Sequence, residues 1–108
     1  MAAGLPTPPS PHVGSPAAPT PRQLAVAESM LHYCAQTDPR AAVALRLQLD
    51  RYAGRISRTT LERLRTTDEY RRSYASVESF TQIVDPRNAT RVCAEAVQTM
   101  QEAPSHAP

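Results

Sequence analysis

Residues 85–103 read DPRNATRVCAEAVQTMQEA, and this stretch decides the fold class. Asp85 can accept a hydrogen bond at a helix start, and Pro86 carries the backbone angle of a first helical residue, so Asp85-Pro86-Arg87 opens a helix. Ala89, Val92, Cys93, Ala96, Val97 and Met100 then recur at spacings of three and four, which puts them on one helical face. The helix is predicted to run to about Ala103 and to stop before Pro104, which cannot extend it. Small side chains on that face let a neighbouring helix approach closely.

The same start signal stands further back at Asp38-Pro39-Arg40. It begins a helix predicted to reach Ala53, with Gly54 as its stop. Ala42, Leu45, Leu49 and Tyr52 share one stripe of it. Leu45, Leu47 and Leu49 also alternate with polar residues as a strand would, but the capped start and the alanines favour helix. A helix from Pro21 to about Ala35 precedes it, opened by Thr20 with Gln23 at capping-box spacing. Leu24, Ala27, Leu31 and Cys34 are its apolar positions, with Met30 beside them. Thr59 with Glu62 and Thr66 with Glu69 repeat the capping-box spacing around Leu61 and Leu64, which fits either a short helix and a bend or one kinked helix. Tyr70, Tyr74, Val77, Phe80 and Val84 then follow on a single helical face, where core or interface packing is the default.

The expected fold is therefore all-α, a small irregular bundle of four to five helices over residues 21–103. Residues 1–20 hold six prolines among Ala, Gly, Ser and Thr and no charged side chain, so they bury too little apolar surface to offset chain entropy and read as a disordered Pro-rich N-terminal tail. Residues 104–108 are likewise expected to be disordered. Leu, Ile, Val and Phe together number 18 of 108 residues, a thin supply of core formers. A core of that size is expected to be completed against a partner.

The basic residues are 12 arginines and no lysine. Arg46 to Arg72 carries a net charge of +4 and residues 73–108 a net of −2, an asymmetry suited to an acidic protein surface or a phosphate backbone. Cys34 and Cys93 have no CxxC partner, and His12, His32 and His106 are badly spaced to complete a zinc site, so buried free thiols are expected and no metal. The histidines stand beside no candidate nucleophile, Asp68 and Glu69 point apart as helix neighbours, and the domain after Pro21 contains no glycine-rich loop. No catalytic residue, no cofactor and no small-molecule substrate are expected. No apolar run reaches a signal or membrane segment, which places the chain inside the cell and makes Asn88-Ala89-Thr90, a glycosylation triplet, a chance match. Thr7-Pro8, Ser10-Pro11, Ser15-Pro16 and Thr20-Pro21 have the form of proline-directed phosphorylation sites, as is common in such tails.

From residue 37 onward the order of landmarks resembles the splicing factor 3B subunit 5 family. Thr37-Asp38 opens the stretch, and Arg51-Tyr52-Ala53-Gly54 matches the basic residue and Tyr-x-Gly that end the family's first helix. Thr59-Thr60, then Arg72 with Ser73-Tyr74 and Ser76, then Phe80, Arg91-Val92 and Met100 follow in the family's order. The chain departs from the pattern in lacking a tryptophan after Thr59-Thr60, in having a shorter segment after Phe80, and in carrying an additional first helix. The resemblance implies a non-catalytic structural subunit of the splicing factor 3b complex of the U2 small nuclear ribonucleoprotein, in the nucleus, wedged between a large helical-repeat subunit and a β-propeller subunit and supporting branch-site recognition. Members of the family also occur in a transcriptional coactivator complex. On this expectation Tyr52, Tyr70, Tyr74 and Phe80 supply core or anchor contacts and Arg51, Arg72 and Arg91 polar contacts, with RNA touched indirectly or little. Two other expectations stand beside it: a small Arg-rich nucleic-acid-binding module using Arg51, Arg55 and Arg58, and an unrelated helical adaptor docking through its tail.

Overall fold

The computed structural model describes residues 19–102, which form five α-helices and no strand. The expectations for the tail before Pro19, its phosphorylation sites included, and for residues 104–108 lie outside the described residues. α1 spans Pro21–Thr37, α2 Pro39–Ala53, α3 Arg58–Arg65, α4 Asp68–Gln82 and α5 Ala89–Glu102. The all-α bundle is thus the fold. Among the described residues no helix is long and apolar enough to cross a membrane.

Local chemistry sets most of the helix ends. Thr20 and Gln23 form the reciprocal capping box expected of them: Gln23 N–H donates to Thr20 Oγ1 (3.0 Å) and Thr20 N–H to Gln23 Oε1 (2.9 Å). α1 runs two residues past Ala35 and is ended by Pro39, which drives the preceding Asp38 to an extended φ of −152° and ψ of 83°. Asp38 serves both helices at this joint, since its N–H closes α1 on the Cys34 carbonyl (2.7 Å) and its carboxylate accepts from Ala41 N–H (3.4 Å) to start α2. At the end of α2 the Gly54 N–H donates to the Asp50 carbonyl, and a Cβ at Gly54 would lie 2.6 Å from that oxygen.

Two capping assignments need correction. Thr59 lies inside α3, whose cap is Ser57, with its Oγ accepting from Thr60 N–H (3.1 Å). Thr66 ends α3, its hydroxyl donating back to the Arg63 carbonyl (2.8 Å), and Thr67 caps α4 by accepting from Tyr70 N–H (3.1 Å). A cap needs an extended backbone, and Ser57 and Thr67 have it (ψ of 153° at both) where Thr66 does not (ψ of −1°). The break between Thr66 and Thr67 makes α3 and α4 separate helices in place of a single kinked one. The last helix also starts late, because Asp85 accepts from Arg87 N–H (2.9 Å) and closes a tight 3₁₀ turn over Pro86–Asn88 before α5 begins.

α1 is the central helix and packs against all four others, most extensively α4 and α2, while α5 lies across α1 and α2. Its buried residues are Leu24, Ala25, Ala27, Met30 and Cys34, of which Met30 and Cys34 cluster with Leu45 of α2 and Cys93 of α5. Ser29 is buried among them and satisfied by donating to the Ala25 carbonyl (2.6 Å). α3 and α4 contribute no fully buried residue. They cover α1 with half-buried side chains.

Cys34 and Cys93 are joined in a disulfide, with Cα atoms 5.9 Å apart and both residues fully buried. The expectation of two free thiols is corrected accordingly. Each cysteine was rightly placed on an apolar face, but the two faces belong to α1 and α5, which the bundle brings together across a sequence separation of 59. A spacing argument over neighbouring residues has no access to that pairing.

Candidate partner-binding surface

The incomplete cover over α1 leaves an open groove of about 670 Å³ between α1 and α4. Val26 and Met30 of α1 and Val77 and Phe80 of α4 supply its apolar wall, and Arg22 and Arg72 flank it. Helical spacing places these residues together, since Arg22, Val26 and Met30 stand four apart on one helix, and Arg72, Ser76 and Phe80 four apart on the other. Phe80 is 48% exposed and Val26 37%. An aromatic ring half in water in the same groove as a partly exposed valine is a surface that gains by being covered.

A second recess lies along the same α1–α4 seam. Tyr74, Glu78, Ser29 and His32 border this smaller recess of about 270 Å³. His32 is exposed and lies 3.2 Å from Gln36 through the Nε2 atoms, while the Ser29 hydroxyl is committed to the backbone of α1. Among the described residues no three His, Cys, Asp or Glu side chains come together in a way that could hold a metal ion.

A polar cluster binds α3 and α4 to α1. The Glu28 carboxylate accepts from Arg65 Nε (3.1 Å) and Nη2 (2.5 Å) and from the Tyr70 hydroxyl (2.5 Å). Burial and the adjacent carboxylate push the Tyr70 phenol well above the usual tyrosine range. Burial also raises Tyr74 and Tyr52. Bidentate geometry and a second donor make this the best-satisfied ion pair of the described residues. Sequence reasoning missed it, because Glu28 and Arg65 lie 37 residues apart and no local spacing pairs them.

The seven candidate contact residues separate in the structure. Phe80 and Arg72 come together in the groove. Tyr70 and Tyr74 are half-buried and pair with ring centroids 5.8 Å apart, so they act within the fold. Tyr52 is half-buried at the end of α2, its hydroxyl donating to Gln23 Oε1 (3.4 Å). Arg51 and Arg91 are exposed on α2 and α5, away from the groove. Arg55 and Arg58 are exposed at the α2–α3 connection.

The fold and this surface define a small disulfide-stapled helical bundle with an open groove between α1 and α4. Comparison with protein-family models, with curated proteins and with solved structures finds no match to the chain.

Proposed function

We propose that this chain is a non-catalytic binding module that captures another protein on the α1–α4 groove, and that it works in an oxidising compartment. The observation that carries the binding role is the half-exposed Phe80, which with Val26, Met30 and Val77 forms the apolar wall of a groove flanked by Arg22 and Arg72. The buried Cys34–Cys93 disulfide supports the setting, since such bonds persist where thiols are not kept reduced. Affinity capture with the full chain and with Phe80→Asp tests the role. A partner retained by the natural chain and lost by the variant, with helical content unchanged, supports it; equal capture by both rejects the groove.

The ordered landmarks from Thr37 to Met100 favour a second reading, the structural subunit of the nuclear splicing factor 3b complex. Arg72 and Phe80, two of those landmarks, lie in the groove and would meet the helical-repeat or propeller subunit there. This reading requires Cys34 and Cys93 to be reduced in the cell. Recovery of a propeller protein, a helical-repeat protein and spliceosomal small nuclear RNA in the same capture supports it, and their absence rejects it.

A further inference from the structure

The triplet Asn88-Ala89-Thr90 holds the sole asparagine of the chain, and it has the form of an N-linked glycosylation acceptor. An intracellular location is the ground on which such a triplet counts as chance. The Cys34–Cys93 disulfide removes that ground. We propose that Asn88 is an N-linked glycosylation site of a chain that matures in an oxidising secretory compartment, which rests on the setting given under the proposed function.

Three observations around Asn88 support the assignment. The residue is exposed and ends the 3₁₀ turn Pro86–Asn88, outside the regular helices. Its backbone N–H donates to the Asp85 carbonyl (2.7 Å), while Arg87 supplies the remaining bonds to the Asp85 carboxylate, so the Asn88 carboxamide is not used by the turn. Thr90 is exposed on the first turn of α5, and only Ala89 between them is buried. A glycan can therefore leave the surface at Asn88 while Ala89 keeps its place in the core. Asn88 does not line the α1–α4 groove, and so an attached glycan leaves that surface open.

The donor is an oligosaccharide linked to a lipid diphosphate, and a transferase of the compartment catalyses the step. A bond forms between Asn88 Nδ2 and the anomeric carbon of the sugar. The bond from that carbon to the diphosphate oxygen breaks, the lipid diphosphate departs with the electron pair, and one amide proton passes to a base of the transferase.

The test expresses the full chain in eukaryotic cells in two forms, as it stands and behind a cleavable secretion leader, and compares Thr90→Ala in each. Thr90→Ala destroys the acceptor without altering Asn88 or any buried side chain. Intact mass is read before and after peptide N-glycosidase treatment, and thiol alkylation is read before and after reduction. The expected result is a glycan on the form carrying the leader, removed by the glycosidase and lost completely in Thr90→Ala, with both cysteines of that form protected until reduction. No glycan in either form overturns the site, even where the cysteines are oxidised and the setting survives. Freely alkylated cysteines in the form carrying the leader overturn the setting and the proposal together.

Discussion

Glu28 shows how much one side chain holds in this bundle. It gathers Arg65 from α3 and Tyr70 from α4 onto α1, where neither outer helix places a fully buried residue. Glu28→Ala is expected to lower unfolding free energy by about 1 to 2 kcal/mol, the upper part of the range for bonds to charged groups being discounted because the Arg65 side chain is 41% exposed. Urea denaturation measures this. Tyr70 adds a pH dependence. Its phenol stays protonated in the folded chain above the value of 10.0 at which an unperturbed tyrosine ionises, so the folded state keeps a proton that the unfolded state releases. The stability it contributes is full below that pH and is lost as pH rises above it. Tyr70→Phe is expected to flatten the alkaline fall in melting temperature, and a slope equal to that of the natural chain would contradict the role given to Tyr70.

Helix starts and faces make sharper predictions because the alternatives are neighbouring residues. Ser57 and Thr67 have the extended backbone of a cap, and Thr59 does not, although all three are hydroxyl residues in the same region. Ser57→Ala and Thr67→Ala are each expected to cost about 1 kcal/mol, and Thr59→Ala close to nothing, in thermal denaturation. In α2 the leucines at 45, 47 and 49 alternate in sequence, yet Leu45 is fully buried, Leu49 half-buried and Leu47 54% exposed. Leu45→Ala should lose about 3 kcal/mol through lost burial and the cavity left behind, whereas Leu47→Ala should lose little. A strand would have treated Leu45 and Leu47 alike. The helical period was legible here, but the choice among adjacent hydroxyl caps was not, since it depends on where the chain turns between α2, α3 and α4.

The core of the bundle is thin, and a covalent bond ties α1 to α5 across it. Among the described residues Leu24, Met30 and Leu45 are the large aliphatic or thioether side chains that are fully or nearly fully buried, and alanines and the two cysteines make up most of the rest. Closing a loop across a separation of 59 residues is worth about 4 kcal/mol in the chain-entropy account of disulfides, a large share of the stability of a small domain. Reduction, or the double replacement Cys34→Ala with Cys93→Ala, is accordingly expected to lower the melting temperature strongly, with α5 loosened first. Circular dichroism melts with and without reductant measure it, and an unchanged melt would show that packing alone suffices. The groove follows from the same thinness. α4 covers α1 without sealing it, and Phe80 is left at the margin.

Capping residues, prolines and the three-to-four spacing of apolar positions act within a few residues of one another, which is why the all-helical class, the helix order and several boundaries could be read from the chain before it folded, while the split into α3 and α4 could not. Asp38, Thr20 and Gly54 each did in the structure what their local chemistry dictates. The bond between Cys34 and Cys93, the reach of Arg65 to Glu28 across 37 residues, and the separation of exposed Phe80 from half-buried Tyr70 and Tyr74 on one helix came only with the packing of the bundle. Such features depend on which faces meet and how completely they cover each other, a balance of long-range contacts that no local pattern encodes.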